Sequence, residues 1–84
     1  MIESGTITAN GQKSNPIVGS KVYVDLTFAG TATVAVEWQL DGTNWRKIAD
    51  KTASEQFVID AGGIPVRLNC TAFTNNVTYA LKVV

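Results

Sequence analysis

A small antiparallel β-sandwich, immunoglobulin-like or jelly-roll-like with six to seven strands, is the fold class that this sequence predicts. Three observations predict it. Large apolar residues recur at every second position in several segments, which places them on one face of a strand. Turn-forming pairs such as Asn10-Gly11, Gly30-Thr31, Asp41-Gly42 and Gly62-Gly63 break the chain about every 8–12 residues. No long segment carries a helical apolar period.

The elements follow in order. Ser4 to Ala9 is a short first strand of modest burial, with Ile7 and Ala9 opposed to Thr6 and Thr8. Asn10-Gly11 turns the chain. Lys13 to Ser20 is a loop or weak edge segment, since Pro16 has no N–H to give to a central ladder. Lys21 to Ala29 is a firm strand, with Val22, Val24, Leu26 and Phe28 on one face and Tyr23, Asp25 and Thr27 on the other. Thr33 to Leu40 is the next, with Val34, Val36, Trp38 and Leu40 inward; Glu37 faces solvent. Trp38, the largest apolar group, is expected at the centre of the core. Asp41-Gly42 reverses the chain, and Trp45 to Ile48 returns antiparallel.

Asp50 to Glu55 is polar and reads as a loop, with room for a capped helical turn at Thr52 or Ser54. Gln56 to Asp60 is a short strand with Phe57 and Ile59 on one face and Val58 on the other. Ala61-Gly62-Gly63 is a turn. In Ile64 to Ala72, Val66, Leu68 and Cys70 point inward while Arg67, Asn69 and Thr71 point out. Thr74-Asn75-Asn76 leads into Val77 to Val84, which presents Val77, Tyr79, Leu81 and Val83 on one face. The first and last strands are the expected sheet edges, open to a partner strand.

The 84 residues, opening on Met1, read as one complete domain spanning 1–84. A domain of this size buries only about 60% of its unfolded surface. Disulfides, metals or self-association usually supply the remaining stability. Cys70 is the single cysteine and histidine is absent, which excludes an internal disulfide and the commonest metal ligand. Self-association is the route left. Seven basic and seven acidic residues cancel without clustering, so the phosphate-neutralising patch of a nucleic-acid binder is not evident. Neither a signal peptide nor an apolar run of about 20 residues is present, so neither export nor a membrane span is expected.

No catalytic set emerges. Serine and threonine nucleophiles lack a histidine base. Cys70 falls on an inward position, where a thiol is inert. Asp25, Glu37, Asp41 and Asp60 are the carboxylates that acid–base chemistry would need, but they scatter over exposed faces and turns. Asp41-Gly42-Thr43-Asn44-Trp45 looks like a shortened Asp-box, the hairpin motif of sialidase-type propellers. It lacks one residue between acid and tryptophan, and Gln39 stands where a small hydroxyl residue belongs. Its physical content is a structural staple: the carboxylate accepts N–H groups of its own turn, and Trp45 covers it. Two glycosylation sequons, at Asn69 and Asn76, read as chance in a chain without a signal peptide. Tyr23, Trp45 and Phe73 are the candidate partner contacts. Catalytic, cofactor-binding and metal residues: none is expected.

Val34-Ala35-Val36-Glu37-Trp38, Leu40-Asp41-Gly42, Asn44-Trp45, Phe57 and Val66-Arg67-Leu68 together resemble the small β-sandwich structural proteins of tailed bacteriophages. The resemblance spans nearly the whole chain. It implies a virion protein assembled in a bacterial cytoplasm, most specifically a capsid cement or decoration protein. Its partners would be copies of itself, for instance in a trimer, and the major capsid protein. A neck or tail component is the nearest alternative. A carbohydrate-binding module resting on Tyr23, Trp45 and Phe73 is the alternative from a different class. The resemblance carries no catalytic residues.

Overall fold

The computed structural model describes residues 1–83, which form seven strands and no helix. They are β1 (Ile2–Ile7), β2 (Lys21–Phe28), β3 (Ala32–Trp38), β4 (Arg46–Lys51), β5 (Glu55–Asp60), β6 (Val66–Phe73) and β7 (Val77–Val83). All pairings are antiparallel. One sheet has the order β1-β7-β2-β5 and the other β4-β3-β6. The predicted β-sandwich is present.

The pairing is nested. β1 pairs with β7, β2 with β5 and β3 with β4. The segment between β1 and β2 pairs with β6 through bridges Lys13–Asn69 and Ile17–Val66. First pairs with last, second with second-last, and so on inward, which is the jelly-roll winding. Residues 11–17 therefore act as an irregular eighth strand. They exchange backbone bonds with Cys70 and Val66, and Ser14 N–H donates to Leu68 C=O. The Leu68 N–H instead finds the buried Ser14 hydroxyl, at 2.8 Å. Asn15-Pro16 bends the chain away there, and the side chain replaces the carbonyl that the ladder would otherwise supply.

The core is aliphatic. Ile7, Ile17, Val22, Leu26, Val34, Val36, Val66, Leu68, Cys70, Val77 and Leu81 are sealed from solvent. Each large side chain among them contributes about 1.5–3 kcal/mol by leaving water. Phe28, Trp38, Phe57, Ile59, Phe73 and Val83 form a half-buried rim around this centre. Trp38 is thus not the middle of the core. It is the last residue of β3, opposite Val66 and Arg46, so its place along the strand carries it to the rim.

Other boundaries shift for local reasons. β1 starts at Ile2 and ends at Ile7, leaving Ala9 exposed beyond it. Its inward positions are Glu3, Gly5 and Ile7. Gly5 stands opposite Tyr79, whose ring lies across it: a Cβ there would sit 3.0 Å from the hydroxyl oxygen. Leu40 is outside β3 and 55% exposed, because Gln39 N–H bonds Pro65 C=O and the chain then turns. β4 runs from Arg46 through Lys51, so Asp50 and Lys51 belong to a strand and Trp45 does not. Their polar character fits an edge strand whose side chains pair along the surface, Lys47 with Asp50 and Lys51 with Glu55. No helical turn forms; Ser54 accepts the Phe28 N–H instead. The β3–β4 register slips between Val36 and Glu37, where Ile48 is the extra residue of a bulge.

The last strand is not an edge. β7 lies between β1 and β2, because nested winding brings the two chain ends together inside one sheet. The free edges are β1 and β5 in one sheet and β4 in the other; the outer edge of β6 is covered by residues 11–17.

Candidate interaction surfaces

Chemistry that needs a converging set of groups finds little here. Among the described residues no cluster of three or more His, Cys, Asp or Glu could hold a metal ion. No helix among them is long and apolar enough to cross a membrane. An open depression is lined by Asp25, Leu26, Thr27, Ser54, Glu55 and Gln56. Cys70 is a free, fully buried thiol whose sulfur reaches the Ala72 carbonyl at 3.5 Å. The sandwich has two outer sheet faces, and they differ.

On the three-stranded sheet, register brings Arg67, Glu37 and Lys47 into one row and Asn69, Ala35 and Asp50 into the next. Glu37 is not solvent-facing in effect. Its carboxylate accepts Arg67 Nε–H at 2.8 Å and Asn69 Nδ2–H at 3.3 Å. The Arg67 and Glu37 side chains are only 18% and 13% exposed. Trp45 closes the other side of Arg67, whose guanidinium carbon lies 4.2 Å from its ring centroid. Cation–π contact and ion pair thus act on one side chain, in partial burial that strengthens both. Ala35, in the middle of this face, is 1% exposed, covered by larger neighbours.

The Asp41 turn beside it is held as expected from the motif. One Asp41 oxygen accepts the N–H groups of Thr43 (2.9 Å) and Asn44 (2.7 Å), and the other accepts Asn44 Nδ2–H at 3.0 Å. These bonds favour the charged form and lower the Asp41 pKa to about 2, the Asn44 N–H leading. Gly42 follows at φ 78°, a conformation that glycine adopts without strain. The Trp45 ring, expected over this turn, lies against the Arg67 guanidinium.

On the four-stranded sheet, register sets Ile2, Lys82, Tyr23 and Val58 in one row across β1, β7, β2 and β5. Ile2, Tyr23 and Val58 are 62%, 46% and 52% exposed. Ser4, Ala80, Asp25 and Gln56 form the next row. Among the described residues one side-chain bond crosses this face, Gln56 Nε2–H to Asp25 Oδ1, 3.5 Å long. No ion pair involves Lys82 or Lys21 among the described residues.

Beneath the same sheet, Tyr79 is nearly buried on the strand next to β1, which carries Glu3. Burial first, and the Glu3 charge second, push its pKa above the ordinary value. Glu3 also accepts the Asn15 N–H at 3.3 Å, tying β1 to the irregular strand.

The three aromatic candidates are therefore separated. Tyr23 lies on the outer face of the four-stranded sheet, Trp45 on that of the three-stranded sheet, and Phe73 packs on the core rim. No shared platform is built from them. Ile2, Val58 and Lys82 were not among the predicted contacts, although alternation already placed Val58 opposite Phe57 and Ile59. Their signal is cross-strand register, which one strand read alone does not contain. Among known proteins, no family model, curated protein or solved structure matches the chain.

Proposed function

We propose that the chain is a non-catalytic structural component of a tailed-phage virion, a decoration protein that binds copies of itself and the major capsid protein. The observation that carries this reading is the exposed Ile2–Tyr23–Val58 row on a sheet flanked by two free edge strands. A row of apolar groups without internal pairing is what a partner covers. Residues 34–45, 57 and 66–68, which resemble such proteins, support it as well. The jelly-roll winding supports it only by analogy, because that fold serves viral shells, lectins and enzymes alike.

Mass spectrometry of purified particles of the encoding virus tests the reading. The expected result is the chain in the virion at a copy number comparable to the major capsid protein. Absence from particles would sink it, and a few copies confined to one vertex would move the protein to the neck or tail.

A further inference from the structure

The four-stranded sheet carries a pattern that reads the same against its own reverse. Its rows have an even number of strands, so a two-fold axis parallel to the strands can pass between β7 and β2. Turning a second copy about that axis and laying it face to face sets Ile2-Lys82-Tyr23-Val58 against Val58-Tyr23-Lys82-Ile2. Each Ile2 then meets Val58 of the second copy, apolar on apolar. Each Lys82 meets Tyr23 of the second copy, cation on ring. In the next row each Asp25 falls opposite Ala80 of the second copy, two residues along β7 from Lys82 of the second copy. That supplies an ion pair to Lys82, which has none among the described residues of its own chain.

From these placements we infer that the outer face of the β1-β7-β2-β5 sheet is a self-association surface, forming a two-fold dimer of sheet on sheet. The inference deepens the self-binding part of the proposed function and does not depend on a virion. The other outer face fits a partner less well, because Glu37, Arg67, Asn69 and Trp45 already satisfy one another there. Size sets the affinity class. Four strands about 4.8 Å apart and about seven residues long at ~3.3 Å each give a face near 450 Å². Two copies then bury about 900 Å², below the ~1,200 Å² of standard stable interfaces, so the dimer is a weak one in dilute solution.

Sedimentation equilibrium of the purified chain from micromolar to millimolar concentration should show a reversible monomer–dimer equilibrium. Tyr23→Ser and Lys82→Asp should each weaken it about tenfold, since each removes two symmetric contacts. Lys82→Asp combined with Asp25→Lys should recover the part of the loss owed to the ion pair, because those charges then meet with signs exchanged, while the contact with the Tyr23 ring stays lost. Leu40→Ser, exposed elsewhere, should leave it unchanged.

A second measurement is independent of affinity. Ile2→Cys with Val58→Cys should give covalent dimers on denaturing gels after treatment with a short bifunctional thiol reagent, because face-packed sheets lie about 10 Å apart, beyond the reach of a direct disulfide. The two positions lie three strand spacings apart within one chain, about 14 Å, too far to bridge internally; Cys70 is buried. A chain monomeric throughout, a trimer, or a dimer indifferent to Tyr23 and Lys82 substitution would each overturn the inference. Because the purified chain is used, that failure is distinct from absence in particles.

Discussion

The two outer faces of this sandwich share one feature and are otherwise opposite in character. Each has a small alanine near its middle, Ala35 on one and Ala80 on the other, with polar and charged neighbours in register. On the three-stranded sheet the neighbours close over the alanine: Glu37 holds Arg67 and Asn69, and Trp45 lies against Arg67. On the four-stranded sheet they do not; Ala80 is only half-buried, and the row beside it leaves Ile2, Tyr23 and Val58 in water. The difference teaches that exposure follows from which residues register brings opposite each other: Glu37 meets Arg67, whereas Ile2, Tyr23 and Val58 share a row with Lys82. A face whose charges pair internally is finished, and one whose apolar groups lack neighbours has capacity for a partner.

The contrast can be broken most severely at Arg67. Arg67→Ala should cost about 2–3 kcal/mol, since it strands a part-buried Glu37 and uncovers Trp45. In a domain of this size each kcal/mol lowers the melting temperature by about 4–8 °C, so calorimetry reads it directly. A loss below about 0.5 kcal/mol, the range of an ordinary surface change, would mean that the network contributes nothing.

The alanines come next. Ala35→Leu should cost about 1–2 kcal/mol, because a buried position has no room for three more carbons. Ala80→Leu should stay within about 0.5 kcal/mol. Equal costs in denaturant titrations would erase the distinction between the faces.

A double-mutant cycle on Glu37 and Arg67 sharpens the point, with an expected coupling of about 1 kcal/mol. The same cycle on Asp25 and Gln56, joined at 3.5 Å in the open, should give nearly none.

The smallest effects are protonic. Asp41 beside the closed face should titrate at about 2 by NMR of its carboxyl carbon. Its folded pKa lies below the ordinary 3.8, so its contribution is present above that value and is lost as pH falls toward 2. A midpoint at the ordinary value would show that the turn is not held. Tyr79 under the open sheet has the reverse sign. Its pKa is raised in the fold, so its contribution is intact below pH 10, the ordinary phenol value, and is lost as pH climbs beyond it.

Much of this was legible in the sequence. Alternation marked the inward faces of β2, β6 and β7, and turn dipeptides marked most boundaries, because both are local consequences of strand geometry. The Asp41 staple was legible for the same reason: its partners are two and three residues away. The Pro16 signal correctly demoted residues 13–20 to an edge segment, which bridges β6.

What escaped was everything set by distance along the chain. Trp38 reads as a core centre by size and alternation, yet sits on the rim because β3 ends there. Leu40 keeps the alternation but loses its strand. Asp50 and Lys51 look like loop and are strand, since an edge needs no apolar residues. Glu37 and Arg67, 30 residues apart, were both assigned to solvent and instead pair.

The sequence by itself determined the sandwich, the inward faces of its strands and its turns, because backbone sterics and the two-residue period act locally. Only the tertiary structure decided the nested winding, the burial of β7 inside its sheet, and which outer face is closed. Those depend on strand order and register, in which residues tens of positions apart are chosen as neighbours by the packing of the whole core.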